Sequence, residues 1–261
     1  MLEYNKKIKE YDLFVDYYDE VVRPYDNQLE EELFFLLDIF DEYNPEAKKL
    51  LECACGTGLI LKGLSKKYKI KGLDLSDKML NKAKKILPEE VLIQGDMTDF
   101  DLEEKFDIVL CNYNSICHLT DFSDWKKFFK QAYNHLNKDG ILVFDINTLF
   151  EFNNLAESYM YSREVGENSD ILCMEVKKTD YKNNKEINNH FYWDLRLFLN
   201  QGEDNYKLIR ERVSENTFEI YKIKDALNKL FQIEEIIDFH NIELRPDSSR
   251  VYFVAKKKID L

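Results

Sequence analysis

The stretch LLECACGTGLILKGL, residues 50–64, decides the fold. A short apolar run leads into Gly56 and Gly58, and apolar residues at helical spacing follow, which reads as a buried strand turning sharply into a helix. Such a turn lets a backbone pass close over a nucleotide, and three kinds compete for it. A nucleoside triphosphate calls for GxxxxGK followed by Ser or Thr, which is not here. A dinucleotide calls for GxGxxG, but the third glycine position is Leu61. A nucleoside without a phosphate chain needs neither the lysine nor the third glycine.

Outward from this turn, strands and helices alternate. KKLLECA, IKGLDL, VLIQGD, FDIVLCN and GILVFDIN read as strands, while GLILKGLSKKY, SDKMLNKAKKIL and SDWKKFFKQAYNHL read as helices, with Ser76 capping the second and Pro88 ending it. The expected architecture is α/β: a doubly wound, Rossmann-like, mostly parallel sheet with helices on both faces. Two helices precede it, one around YDLFVDYYDEVV and one from Gln28 to Tyr43 with Asn27 as cap and Pro45 as stop. After Thr148 the pattern changes to longer strands, DILCMEVKKTDY, EINNHFYWDLRLFL and NYKLIRERVS, divided by the turn-rich KNN and NQGEDN. An antiparallel β cap inserted into the parallel domain is expected there. The expected units are residues 1–149 (helices and nucleoside-binding core), 150–220 (the insertion, a substrate cap or a dimer surface) and 221–261 (a final helix and strands completing the core sheet).

Composition sets outer bounds. The chain has 261 residues and a formal net charge of −13, which works against phosphate backbones and anionic membranes and favours a compact or cationic ligand. The start MLEYNKKIKEYD lacks an apolar signal core, and Asp38 interrupts the most apolar helical stretch, so a cytoplasmic protein without membrane contact is expected. Five cysteines without a CxxC pair argue against a disulfide framework and against a zinc site; no metal is expected.

The spacing ExAxGxG formed by Glu52, Ala54, Gly56 and Gly58 resembles the first motif of class I S-adenosylmethionine-dependent methyltransferases. Four further landmarks support the resemblance, which covers residues 45–148. It implies that Asp74, ending the second strand, holds both ribose hydroxyls, with Leu75 and Met79 flanking the adenosine. It implies that Asp96 binds the adenine amino group with Met97 against the ring, and that Cys111 and Asn112 lie under the sulfonium. Ala54 departs from the usual first glycine. The implied cofactor is S-adenosyl-L-methionine. One carboxylate serves two adjacent hydroxyls well, and glycine permits close backbone approach.

The acceptor is less sharply indicated. CNYN lacks the proline motif common in methyltransferases of nucleic acids and proteins. NSICHL, with Asn114 and His118, is similar to a segment of small-molecule N-methyltransferases of the glycine/sarcosine and amino-sugar types. In that resemblance His118 is a candidate base on the amine; hydrogen bonding to loop backbone is its alternative. Tyr18, followed by Asp19, matches a segment that closes over the cofactor, and is a second catalytic candidate. In the insertion, alternation puts His190 and Tyr192 on one face and Phe191 and Trp193 on the other. Either face can roof the site; His190 and Tyr192 are the candidates for acceptor contact. The expected function is methyl transfer to a small molecule, with nitrogen the favoured atom, by a monomer or homodimer that takes no nucleic acid as partner. An RNA or protein methyltransferase and an inactive cofactor-binding partner are the alternatives.

Overall fold

In the structure, a computed structural model, residues 14–22, 27–88, 91–179, 190–203, 205–240 and 243–259 are described. The expected KNN turn and the first residues of the opening helix lie outside them. Strand β1 (Lys49–Cys53) is buried along all but its first residue, as a strand covered on both faces must be. It pairs in parallel with β2 (Lys69–Asp74) on one side and β4 (Phe106–Cys111) on the other. Beyond β2 lies β3 (Leu92–Gln94), and beyond β4 lies β5 (Leu136–Asn147), both parallel. Two antiparallel strands, β11 (Arg250–Lys257) and then β10 (Phe231–Asp238), complete a sheet whose order among the described residues is β10-β11-β5-β4-β1-β2-β3. The connections run outward in opposite directions from β1 and β4. A crevice therefore opens at the carboxyl ends of these two strands.

Alternate residues of each strand face opposite layers. Leu50, Ile108, Leu110, Ile141 and Val143 pack with α2 (Gln28–Tyr43), α3 (Leu59–Leu64) and α4 (Asp77–Ala83). Leu51, Val109, Leu142 and Phe144 pack with α5 (Phe122–His135) and α7 (Ile220–Leu227). Trp125, Phe128 and Phe129 of α5 are all fully buried, and each contributes about 1.5–3 kcal/mol by leaving water.

The antiparallel cap is present, with order β6 (Met160–Val165), β7 (Asp170–Thr179), β8 (His190–Asn200) and β9 (Tyr206–Asn216). It is joined to the core by α6 (Leu149–Ser158), whose Phe152 stacks on Phe191 with ring centroids 4.9 Å apart. Helix α1 (Tyr18–Val22) straps cap to core. Tyr17 donates to Asp170 and Arg163 to Glu20 on the cap side, while Thr57 donates to Asp19 at 2.6 Å on the core side.

Three local expectations are corrected. Asn27 makes no side-chain bond to the helix backbone; its amide donates instead to the Glu31 side chain, one turn on. Helix α4 stops at Ala83, short of Pro88, because the amides of Lys85 and Ile86 bond three residues back and tighten the chain into turns. Helix α6 and strand β6 were not anticipated. Thr148 and Glu151 have the T-x-x-E spacing of a capping box, and Thr148 Oγ1 does accept the Glu151 amide at 3.2 Å.

Candidate active site

At the carboxyl ends of β1 to β4 the described residues enclose a cavity of about 270 Å³. Ala54 and Gly56 border it after β1, Asp74, Leu75 and Ser76 at the end of β2, and Met79 from α4. Gly95, Asp96 and Met97 follow from β3, and Ser115, His118 and Leu119 from the loop after β4. Among the described residues no lysine or arginine lines it, which suits a ligand without a phosphate chain.

The turn after β1 is built for close approach. Gly56 has φ +55°, and a Cβ placed on it would meet nothing within 4 Å, because that space is the cavity. Ala54 holds φ 57°, a left-handed conformation that costs a residue with a side chain roughly 1–2 kcal/mol. Asp74 is fixed twice by backbone: its Oδ2 accepts the Gly56 amide at 2.7 Å and its Oδ1 the Ser76 amide at 2.8 Å. Burial pushes the Asp74 carboxyl up, and the backbone amides of Ser76, Gly56 and Leu75 pull against that. A carboxylate offers about four acceptor sites, so capacity remains beyond these backbone amides for a ligand hydroxyl. Leu75 beside it is 58% exposed, an apolar surface for a flat ring to cover. Asp96 takes the Thr98 amide and hydroxyl on Oδ1 alone, each at 2.7 Å. These features fit a nucleoside with free hydroxyls.

Four of the expected cofactor residues do not border this cavity. Gly58, at φ +79°, precedes α3; a Cβ there would lie 2.8 Å from Leu87 and 3.1 Å from Ala83, so close packing leaves no room for a larger residue. Glu52 is buried on β1. Cys111 is fully buried in the core, where desolvation pushes its thiol well above the usual range. Asn112 is buried and accepts a 2.7 Å bond from the Tyr252 hydroxyl. The last two follow from strand geometry: β4 ends inside the sheet, and the chain reaches the surface only at Tyr113 and beyond. Ser76, Gly95, Ser115 and Leu119 border the cavity unanticipated; each is a near neighbour in sequence of a candidate residue.

A second cavity, of about 340 Å³, lies under the cap. Tyr18 borders both cavities. Its walls include Tyr113, Asn114, Asn147 and Glu151 from the core side and Tyr159, Met174, Trp193, Leu195 and Glu215 from the cap. Neither His190 nor Tyr192 lines it. In β8 they share the face opposite Trp193 and Leu195, and Tyr192 there lies under Arg212, 4.7 Å from its ring centroid. The inner face is thus the one carrying Phe191 and Trp193.

Between the cavities, Tyr113 and Asn114 take consecutive left-handed conformations, φ 59° and 55°. The Asn114 amide is held by both oxygens of Asp145, at 3.1 and 3.0 Å. Behind it, Arg250 donates from Nε to Asp145 at 2.6 Å and from both terminal nitrogens to Glu32, at 2.9 and 2.8 Å, while Tyr252 bonds Glu32 and Asn112. Burial alone would raise the Glu32 carboxyl, yet the Arg250 charge and these bonds bring it below its usual value. Burial pushes Asp145 up to about 6, with the Arg250 charge opposing that and the Glu32 charge reinforcing it.

His118 stands at the junction. Its Nδ1 is 3.4 Å from the Ser214 carbonyl, which can only accept, so Nε2 is the basic nitrogen; Nε2 lies 3.8 Å from Glu215. Burial pushes the ring down to about 4, which keeps it neutral at pH 7. The loop carrying it is tied by Trp125, whose indole donates to the Leu119 carbonyl, and by Asn216, whose amide donates to Thr120.

Comparison with known proteins agrees with this geometry. Residues 50–140 match the family described as methyltransferase domain. A protein of Geobacillus sp. (strain WCH70), named as a methyltransferase with no acceptor specified, is 28% identical over 95% of this chain and 99% of its own. The dTDP-3-amino-3,6-dideoxy-alpha-D-glucopyranose N,N-dimethyltransferase of Streptomyces fradiae is 33% identical, over 49% of this chain and 53% of its own. The crystal structure of an S-adenosylmethionine-dependent methyltransferase from Clostridium acetobutylicum ATCC 824 shares the fold, with TM-score 0.78, 23% identity, and coverage of 95% and 99%. The domain match spans β1 to the start of β5, the strands whose carboxyl ends carry the first cavity; the chain contains a methyltransferase domain, and its fold is that of the S-adenosylmethionine-dependent methyltransferases.

Proposed function

We propose that the protein methylates a nitrogen of a small molecule, with the cofactor in the first cavity and the acceptor in the second. The observation that carries this reading is that Tyr18 borders both cavities, the first set between the Asp74 and Asp96 carboxylates at the strand ends, the second walled by aromatic side chains. Asp74 would hold the ribose hydroxyls, Asp96 the adenine amino group, and Leu75 and Met97 the faces of the ring. Residues 150–220 then serve as the cover of the acceptor. Bound there, S-adenosyl-L-methionine would supply a methyl group for displacement from its sulfonium by a nitrogen lone pair, the positive charge passing from sulfur to nitrogen.

The chain's own contribution is alignment first. Tyr113 and Asn114, locked by Asp145, and Tyr18, locked through Asp19 on Thr57, fix the opening through which the two ligands face each other. His118 is the candidate to take a proton from the nitrogen, with Glu215 close enough to steady the imidazolium; burial, which pushes the ring down to about 4, makes it a weak base, so its share is secondary to alignment.

The test is a turnover screen of the purified protein with S-adenosyl-L-methionine against amines, amino sugars and hydroxylated metabolites, read by mass. A product one methyl heavier on an amine is expected. Methylation confined to hydroxyls, or to RNA or protein, would overturn the assignment.

A further inference from the structure

The second cavity has a chemical bias that narrows the acceptor. Its charged wall groups are two carboxylates, Glu151 at the start of α6 and Glu215 at the end of β9, the latter 6% exposed. Asn114 adds a third acceptor: its buried Oδ1 has no hydrogen-bond partner among the described residues. Five aromatic rings, Phe14, Tyr18, Tyr113, Tyr159 and Trp193, share the wall, and Tyr159 meets Trp193 edge-on with centroids 5.5 Å apart. Among the described residues no lysine or arginine lines the space. The guanidinium behind Tyr113, that of Arg250, is already committed to Glu32 and Asp145.

Resting on the methyltransferase reading above, we propose that the acceptor is an amine that enters as a cation and carries neither phosphate nor carboxylate. Glu215 and Glu151 receive its N–H groups and the aromatic walls cover its body. Carboxylates and ring faces both attract an ammonium, and both repel an anion. The Streptomyces fradiae relative is named for a sugar carried on dTDP; in this chain a diphosphate inside the second cavity would lie against two carboxylates, with no cation among the described lining residues to receive it. The same charges assist the chemistry. The acceptor loses one proton to His118 Nε2 or to water before attack, and the product nitrogen again bears a positive charge. That charge develops beside Glu215, where the field favours it.

Calorimetry on the intact protein saturated with S-adenosylhomocysteine tests this, with benzylamine and D-glucosamine as cationic probes and dTDP and benzoate as anionic ones. At least one amine binds and neither anion does. Glu215→Gln weakens the amine about tenfold to a hundredfold, the loss of one charge-assisted hydrogen bond, while S-adenosylhomocysteine affinity stays within about threefold. Glu151→Gln is the second variant should the first fail to fold, and it too weakens the amine. Binding of dTDP in preference to the amines overturns the proposal, as does the failure of both amines to bind, or amine binding unchanged in both variants. Failure of S-adenosylhomocysteine itself to bind would instead sink the methyltransferase reading, so the two are distinguishable.

Discussion

Apart from Tyr18, every residue bordering the first cavity lies between Ala54 and Leu119, and its key carboxylate is held by the amides of Gly56 and of Ser76, two residues on. The second cavity draws on Phe14 to Val21, on Tyr113 and Asn114, on Asn147 to Tyr159, and on Met174 to Glu215. The first is made by neighbours along the chain and the second by segments that only tertiary packing brings together. A site of the first kind leaves a spacing in the sequence; a site of the second kind leaves almost none.

The joint between the two is where the largest effect is expected. Arg250 serves Glu32 of α2 and Asp145 of β5, and Asp145 in turn holds the Asn114 amide. Arg250→Ala would leave two buried carboxylates uncompensated, and about 3–5 kcal/mol of unfolding free energy should be lost. Urea denaturation measures it. A loss below about 1 kcal/mol would mean that the cluster relaxes or takes up water, and that the left-handed turn at Asn114 stands without it.

A smaller effect separates the cavities directly. Asp74→Ala should weaken S-adenosyl-L-methionine by about 1.5–3 kcal/mol, the range for hydrogen bonds to a charged group, and leave amine affinity nearly unchanged. Calorimetry with each ligand in turn decides it. Equal loss for both ligands would dissolve the division into two cavities, and no loss for the cofactor would remove Asp74 from the ribose.

Legibility followed the same division. Asp74, Asp96, Leu75, Met79 and Met97, which the family resemblance implied, border one cavity together because strand ends in a parallel sheet converge on one crevice. Gly58 has a packing reason as well: a side chain there would meet Ala83 at the end of α4 and Leu87 beyond it, and the glycine does not border the cavity. Alternation divided β8 into two faces correctly, yet which face turns inward depends on Phe152 stacking on Phe191 and on Phe14 and Val21 of the strap, partners remote in sequence. Glu215 carries no motif. Glu151 did have a signal in Thr148-Leu149-Phe150-Glu151, whose T-x-x-E spacing marks both the helix and the acid one turn into it.

The smallest expected effect tests the junction through pH. His118 is about 4 in the folded protein, against a usual value near 6.5 once exposed by unfolding. Between these values the unfolded chain binds the proton and the folded one does not, so the contribution to stability is complete above pH 6.5 and is lost as pH falls toward 4. With a quarter of the side chain exposed and Glu215 at 3.8 Å to receive an imidazolium, the contribution is discounted to about 1–2 kcal/mol. Asp145, raised to about 6, works the other way over the lower part of the same range, so the intact protein alone cannot isolate the histidine. The comparison of His118→Gln with the parent can, because Asp145 titrates in both. Urea midpoints at pH 7 and pH 4.5 should fall less in the variant than in the parent. Equal falls would mean that His118 is charged or solvated in the fold, and a neutral base at the meeting of the two cavities would no longer be available.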